Sequence, residues 1–89
     1  MLNAALSDLS NSIGITKKLR EYNVITSWEA IVGEQIARVA VPQRIENSVL
    51  FVAVASAPWR AELTMRRREI IERINATAGK QVIQDIRFR

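Results

Sequence analysis

Six cations, Arg60, Arg67, Arg68, Lys80, Arg87 and Arg89, are the side chains best equipped for a chemical task, and the task they suit is holding an anion. A guanidinium is a planar fork of donors that matches two phosphate oxygens, and an ammonium adds a compact point charge. Half of the six lie in SAPWRAELTMRRREIIERI, Ser56–Ile74. As a helix, this stretch pairs Glu62 with Arg66 and Glu69 with Arg73, and Arg68 reaches Glu72. Each such pair adds about 0.2–0.5 kcal/mol and belongs to an ordinary solvated face. Arg60 and Arg67 have no comparable acidic partner. Arg67 falls inside the apolar stripe beside Leu63 and Ile70. Either its stem covers apolar surface while its head reaches solvent, or the sheet ends there. An unpaired arginine at a core margin suits a phosphate, and with Lys80, Arg87 and Arg89 it makes a basic edge. The competing reading is a charged face with no ligand.

Catalysis has little to work with. There is no cysteine and no histidine, which removes disulfides, Cys/His zinc sites, thiol nucleophiles and imidazole acid–base chemistry. The acids are scattered, and the only glycines, Gly14, Gly33 and Gly79, make no phosphate loop. The expectation is a protein that is not an enzyme, with no cofactor, metal or small-molecule substrate. Residues 1–40 balance, with Lys17, Lys18, Arg20 and Arg38 against Asp8, Glu21, Glu29 and Glu34. Residues 41–89 hold nine basic and five acidic residues, so the whole net charge of +4 arises there and hints at an anionic partner.

These side chains need a scaffold, and 89 residues with 48% apolar content can build one small core. Leu2, Ala5, Leu6, Leu9 and Ile13 predict a short amphipathic helix, closed by a left-handed cap at Gly14. Thr16 is a candidate cap for a second helix, bent around Asn23–Ser27. Its stripe of Ile25, Trp28, Val32, Ile36 and Val39 faces the core, and Gly33 lets a neighbouring backbone come close. Pro42 opens an edge strand, Asn47-Ser48 makes a tight turn, and Val49–Ala55 is the central strand. A helix starts at Ser56–Pro58 and runs to Ala78, where Gly79 caps it beside Lys80. Val82–Arg89 alternates as a last strand, parallel to the second through a right-handed crossover. The fold class is α+β: a small two-layer domain, order α-α-β-β-α-β, with helices on one face of a three-stranded sheet. Residues 1–15 form the short N-terminal helix, and 16–89 the globular domain.

Tyr22, Phe51 and Phe88 are assigned to the core, and Trp59 is either a core anchor or exposed at the helix start for stacking a base or docking a partner; too few aromatics remain for an RNA-stacking platform. A Gly-x-x-Gly clamp is also lacking. Nucleic-acid binding would therefore work through charge and shape, with strong salt dependence and little sequence preference. The longest apolar run, Val49–Ala55, is too short for a bilayer, and the N-terminus is a poor signal peptide, so no membrane partner and a cytoplasmic location are expected.

Residues 16–89 carry Trp28, Ile31-Val32-Gly33, the Asn47-Ser48 turn, the Leu50–Val54 strand, Trp59, Glu62-Leu63, Asn75, Gly79 and the ending Ile86-Arg87-Phe88-Arg89. In order and spacing this resembles the DciA-like proteins of bacteria, long catalogued as a domain of unknown function. The resemblance implies an adaptor that recruits or loads the hexameric replicative helicase DnaB and is not an ATPase. It also implies a KH-like globular part without the clamp, and binding to single- or double-stranded DNA. Many such proteins carry a disordered basic extension beyond the domain, whereas this chain stops at Arg89. The alternatives are a KH-like RNA-binding module and an oligomerising domain that uses its open sheet face or edge strand.

Overall fold

The computed structural model describes the backbone of residues 2–89 and the side chains from Gly14 onward. The order among these residues is α1 (Leu2–Thr26), α2 (Trp28–Val32), α3 (Glu34–Val39), β1 (Ala40–Glu46), β2 (Val49–Val54), α4 (Ala57–Met65), α5 (Arg67–Ala78) and β3 (Asp85–Phe88). It is a small α+β domain with a three-stranded mixed sheet, as the hydrophobic patterning predicts.

Two expected helices near the N-terminus are one. The left-handed cap predicted at Gly14 does not form, and Gly14 and Thr16 both lie inside α1. Extending a helix adds one hydrogen bond per residue, whereas restarting one requires a new nucleus. Carrying one glycine at about 1 kcal/mol costs less than that. The stripe Leu2–Ile13 lies outside the residues whose side chains are described. The bend expected at Asn23–Ser27 is present: Ser27 leaves helical geometry, while Ser27 N donates to Asn23 O (2.9 Å) and Ile31 N to Ser27 O (3.0 Å). Of the predicted stripe, Trp28 and Val32 are buried, and Ile25, Ile36 and Val39 are half-buried. Trp28 anchors this layer, donating its indole Nε1–H to Ala40 O at 2.9 Å.

Gly33 works differently from the expectation. A Cβ there would meet nothing within 4 Å, so no backbone presses on it. Its φ of 93° and ψ of 160° separate α2 from α3, a conformation that side chains with a Cβ avoid.

The sheet order is β1-β2-β3, with β2 central, antiparallel to β1 and parallel to β3. Asn47 (φ 51°) and Ser48 (φ 63°) make the two-residue turn, both left-handed as a hairpin of matching twist requires. Pro42 lies on the edge strand, next to a register shift between Pro42 and Arg44. Leu50, Val52 and Val54 alternate toward the helices and join a core with Trp28, Leu63, Ile70, Ile74, Ile83 and Ile86. Trp59 is not fully enclosed. It is half-buried and packs against this core from its margin. Tyr22 is 63% exposed and plays no core role.

The long helix predicted from Ser56 to Ala78 is two, turning at Arg66 (φ −95°, ψ 7°). Ser56 Oγ accepts from Trp59 N at 3.4 Å, and Pro58 occupies the first turn. Gly79 forms the expected left-handed cap, φ 71°, with Lys80 N donating to Asn75 O. The last strand starts three residues later than alternation suggests, because Asn75 captures the segment before it. Asn75 Oδ1 accepts from Val82 N and Ile83 N, and its Nδ2 donates to Ile83 O, each at 2.9 Å. Ile83 and Ile86 are consequently both buried, which a continuous strand could not achieve. Among the described residues, no helix is long and apolar enough to cross a membrane.

Candidate nucleic-acid interface

Strand alternation decides what the uncovered sheet face carries. The two-residue turn sets Arg44 opposite Phe51, and Phe51 in turn pairs with Arg87 on β3. The residues flanking this row in register, Ile45, Leu50 and Ile86, point to the core. Arg44, Phe51 and Arg87 therefore form one line across the outer face. Arg89, two residues beyond Arg87, lies on the same side. The Arg44 Cζ sits 4.2 Å from the Phe51 ring centroid, and that of Arg89 sits at 5.3 Å. The ring quadrupole attracts both cations.

The next row, Glu46, Val49 and Asp85, carries the acids. Arg44 Nε lies 3.3 Å from Glu46, and Arg87 Nε lies 3.7 Å from Asp85. These side chains are about half exposed, where an ion pair contributes only about 0–1 kcal/mol and exchanges readily for another anion. Arg89 has no ion pair among the described residues.

The predicted basic set does not assemble as one edge. Arg67 is not unpaired: its Nε lies 3.7 Å from Asp85, which it shares with Arg87. The change of direction at Arg66 takes Arg67 out of the apolar stripe, while Leu63 and Ile70 stay buried. Arg60 sits at the other end of β2, half-buried, with Nη2 donating to Val54 O at 3.4 Å. Its Nε is buried without a partner. Its fork is thus turned toward the end of a strand, and Arg60 braces β2 there. Arg68 is exposed and forms no ion pair with Glu72. It lines a shallow groove with Arg67, Asn75 and Asp85. The other two helical pairs do form, Glu62–Arg66 at 3.5 Å and Glu69–Arg73 at 3.3 Å. Lys80 lines a different cleft, of about 260 Å³, with Lys17, Arg20 and Ser48.

Of the predicted residues, then, the sheet face unites Arg87 and Arg89, and Arg67 reaches its margin through Asp85. Sequence reasoning missed Arg44 and assigned Phe51 to the core, whereas Phe51 lies on the outer face; counting back from the Asn47-Ser48 turn places the two opposite one another. It also missed Lys17 and Arg20, hidden in a charge-balanced half of the chain. Among the described residues no group of three or more His, Cys, Asp or Glu side chains could hold a metal ion.

The model of the family described as Dna[CI] antecedent, DciA, matches residues 1–88. The chain belongs to the DciA family. It is similar to a UPF0232 protein of Mycolicibacterium smegmatis, 33% identical over 88 residues, covering 99% of this chain and 45% of that one. A UPF0232 protein of Mycolicibacterium paratuberculosis is 32% identical over 81 residues, 91% of this chain and 45% of its own length. A third relative, from M. smegmatis, is 32% identical over 88 residues and is named for its place in the recF–gyrB intergenic region; the match covers 99% of this chain and 45% of that one. This DciA-family chain thus spans less than half the length of these curated relatives.

Proposed function

We propose that this chain is a non-enzymatic adaptor that binds the DnaB-type replicative helicase and helps recruit or load it at the start of DNA replication, while holding DNA weakly and without sequence preference. The family match over residues 1–88 carries this reading. The lack of cysteine and histidine supports a binding role over catalysis. The order from α2 to β3, a helix pair, two strands, a second helix pair and a strand, with no Gly-x-x-Gly clamp, fits a KH-like module, and residues 16–89 are the unit proposed to fold alone. The sheet-face arginines and the Lys17–Arg20–Lys80 cleft are two surfaces on which DNA phosphates could settle. A cytoplasmic location follows from this role.

Mixing the purified chain with the replicative helicase of the same organism tests the reading. Co-elution on a sizing column, with more helicase retained on a DNA fork in the chain's presence, is the expected result. No co-elution and no effect on helicase–DNA assembly, from a folded chain, refutes it. One feature favours a second reading as a KH-like RNA-binding module: an aromatic ring amid arginines on a bare sheet is chemistry that RNA also uses. Tighter binding to structured RNA than to single-stranded DNA at equal salt selects that alternative.

A further inference from the structure

We infer that the helix-free face of the sheet is a single-strand nucleic-acid site, in which a base stacks on the Arg44–Phe51 pair and Arg87 and Arg89 take the flanking phosphates. The inference rests on the DNA-binding part of the proposed function and gives it a place and a strand preference.

Three observations carry it. First, Phe51 is half-buried in the central strand of a face that no helix covers, so its position is fixed by the sheet and not by a mobile loop. Second, a guanidinium seated 4.2 Å above the ring extends the aromatic surface outward. The Arg44 side chain is 49% exposed, so the seat is open to an incoming group. Bases stack on arginine planes as well as on rings. Third, four arginines, Arg44, Arg67, Arg87 and Arg89, meet two side-chain carboxylates, Glu46 and Asp85, at this surface. A phosphate arriving at Arg87 leaves Asp85 still paired with Arg67, so no carboxylate is stranded.

The occupant is a single strand because of shape. A duplex keeps its bases stacked inside and offers a flat sheet only its phosphates, whereas an unpaired strand can turn a base onto the Arg44–Phe51 seat. Adjacent strands lie about 4.8 Å apart, so Arg44 and Arg87 flank the seat from about 10 Å across, a gap that a nucleotide backbone can bridge. The contrast is with the Lys17–Arg20–Lys80 cleft, which has charge but no planar group.

Fluorescence anisotropy on the full chain, with a labelled 20-mer of thymidine and a duplex of equal length, tests this. The variants are R44Q/R89Q on exposed residues, F51L at the seat, and K17Q/R20Q/K80Q in the cleft, each checked for its fold by circular dichroism. The expected result is tighter binding of the single strand by the parent chain. R44Q/R89Q removes one phosphate ligand, Arg89, and should lower the slope of log affinity against log salt by about 0.7. F51L should cost about fivefold on the single strand, the low end of one stacked base, and little on the duplex. Equal duplex and single-strand binding overturns the inference. So does loss of binding in the cleft variant with the sheet-face variants unaffected, or a parent chain that binds no single strand. Light scattering that finds a dimer dispersed by R44Q/R89Q, with DNA affinity unchanged, assigns the face to a second copy and also overturns it. Helicase co-elution is read separately. Retained co-elution with no single-strand binding fails this inference alone, and the converse result fails only the recruiter reading.

Discussion

The two faces of β2 are built from the same strand and do opposite things. Leu50, Val52 and Val54 are buried beneath the helices, with at most 7% of their surface left to solvent. Val49, Phe51 and Ala53, one residue out of phase, are only half-buried, and their cross-strand neighbours include Arg44, Glu46, Asp85 and Arg87. The covered face is bonded by shape and apolar area. The bare face is held by exchangeable ion pairs and cation–ring contacts. An apolar strand on both sides thus signals more than burial, because its second side supplies the surface on which charged groups are arrayed.

Substitutions can break or sharpen this contrast. The largest effect is expected on the covered side: Trp28→Ala, or Leu50→Ala, should cost about 3–5 kcal/mol or abolish folding, read by urea denaturation. Asn75→Ala comes next. It leaves Val82 N, Ile83 N and Ile83 O without their partners, and a loss of about 1–3 kcal/mol is expected, with faster amide exchange in β3. Trp59→Ala should lose roughly half of the about 3–5 kcal/mol typical of an enclosed aromatic, because Trp59 is half-exposed. Its thermal midpoint should fall clearly short of the drop for Trp28→Ala. The smallest effect belongs to the bare face, where Arg44→Gln with Arg89→Gln should change stability by less than about 1 kcal/mol. A bare-face loss as large as that of Leu50→Ala would end the distinction between the faces.

The parts of this fold that were legible in the sequence are those set by local chemistry. Asn47-Ser48 had to be the turn, Pro42 had to be on an edge, and Gly79 had to cap α5, since each residue type has few alternatives there. The misreadings have two sources, glycines whose local backbone role has more than one option and side chains whose partners are distant in sequence. Gly14 looked like a stop and lies mid-helix. Gly33 looked like a contact point and is a backbone hinge. Arg67 looked unpaired because helical spacing shows only neighbours three or four residues away, and Asp85 is brought to it by the crossover. For the same reason the predicted basic edge divides. Arg60 and Arg67 are close in sequence, yet they end up at opposite ends of β2, one at Val54 and the other beside the pair of Val49. The Arg44–Phe51 seat was within reach of counting from the turn, whereas the approach of two guanidiniums to one ring was not.

The parallel pairing of β2 with β3 also sets a schedule for synthesis. The hairpin can close as soon as Val54 leaves the ribosome, but its other edge must wait for Phe88. At about 5–20 residues per second, that delay is roughly two to seven seconds. Throughout it, the most apolar strand of the chain presents an unsatisfied edge to the cell, so the nascent protein passes through a sticky interval that the finished one never revisits.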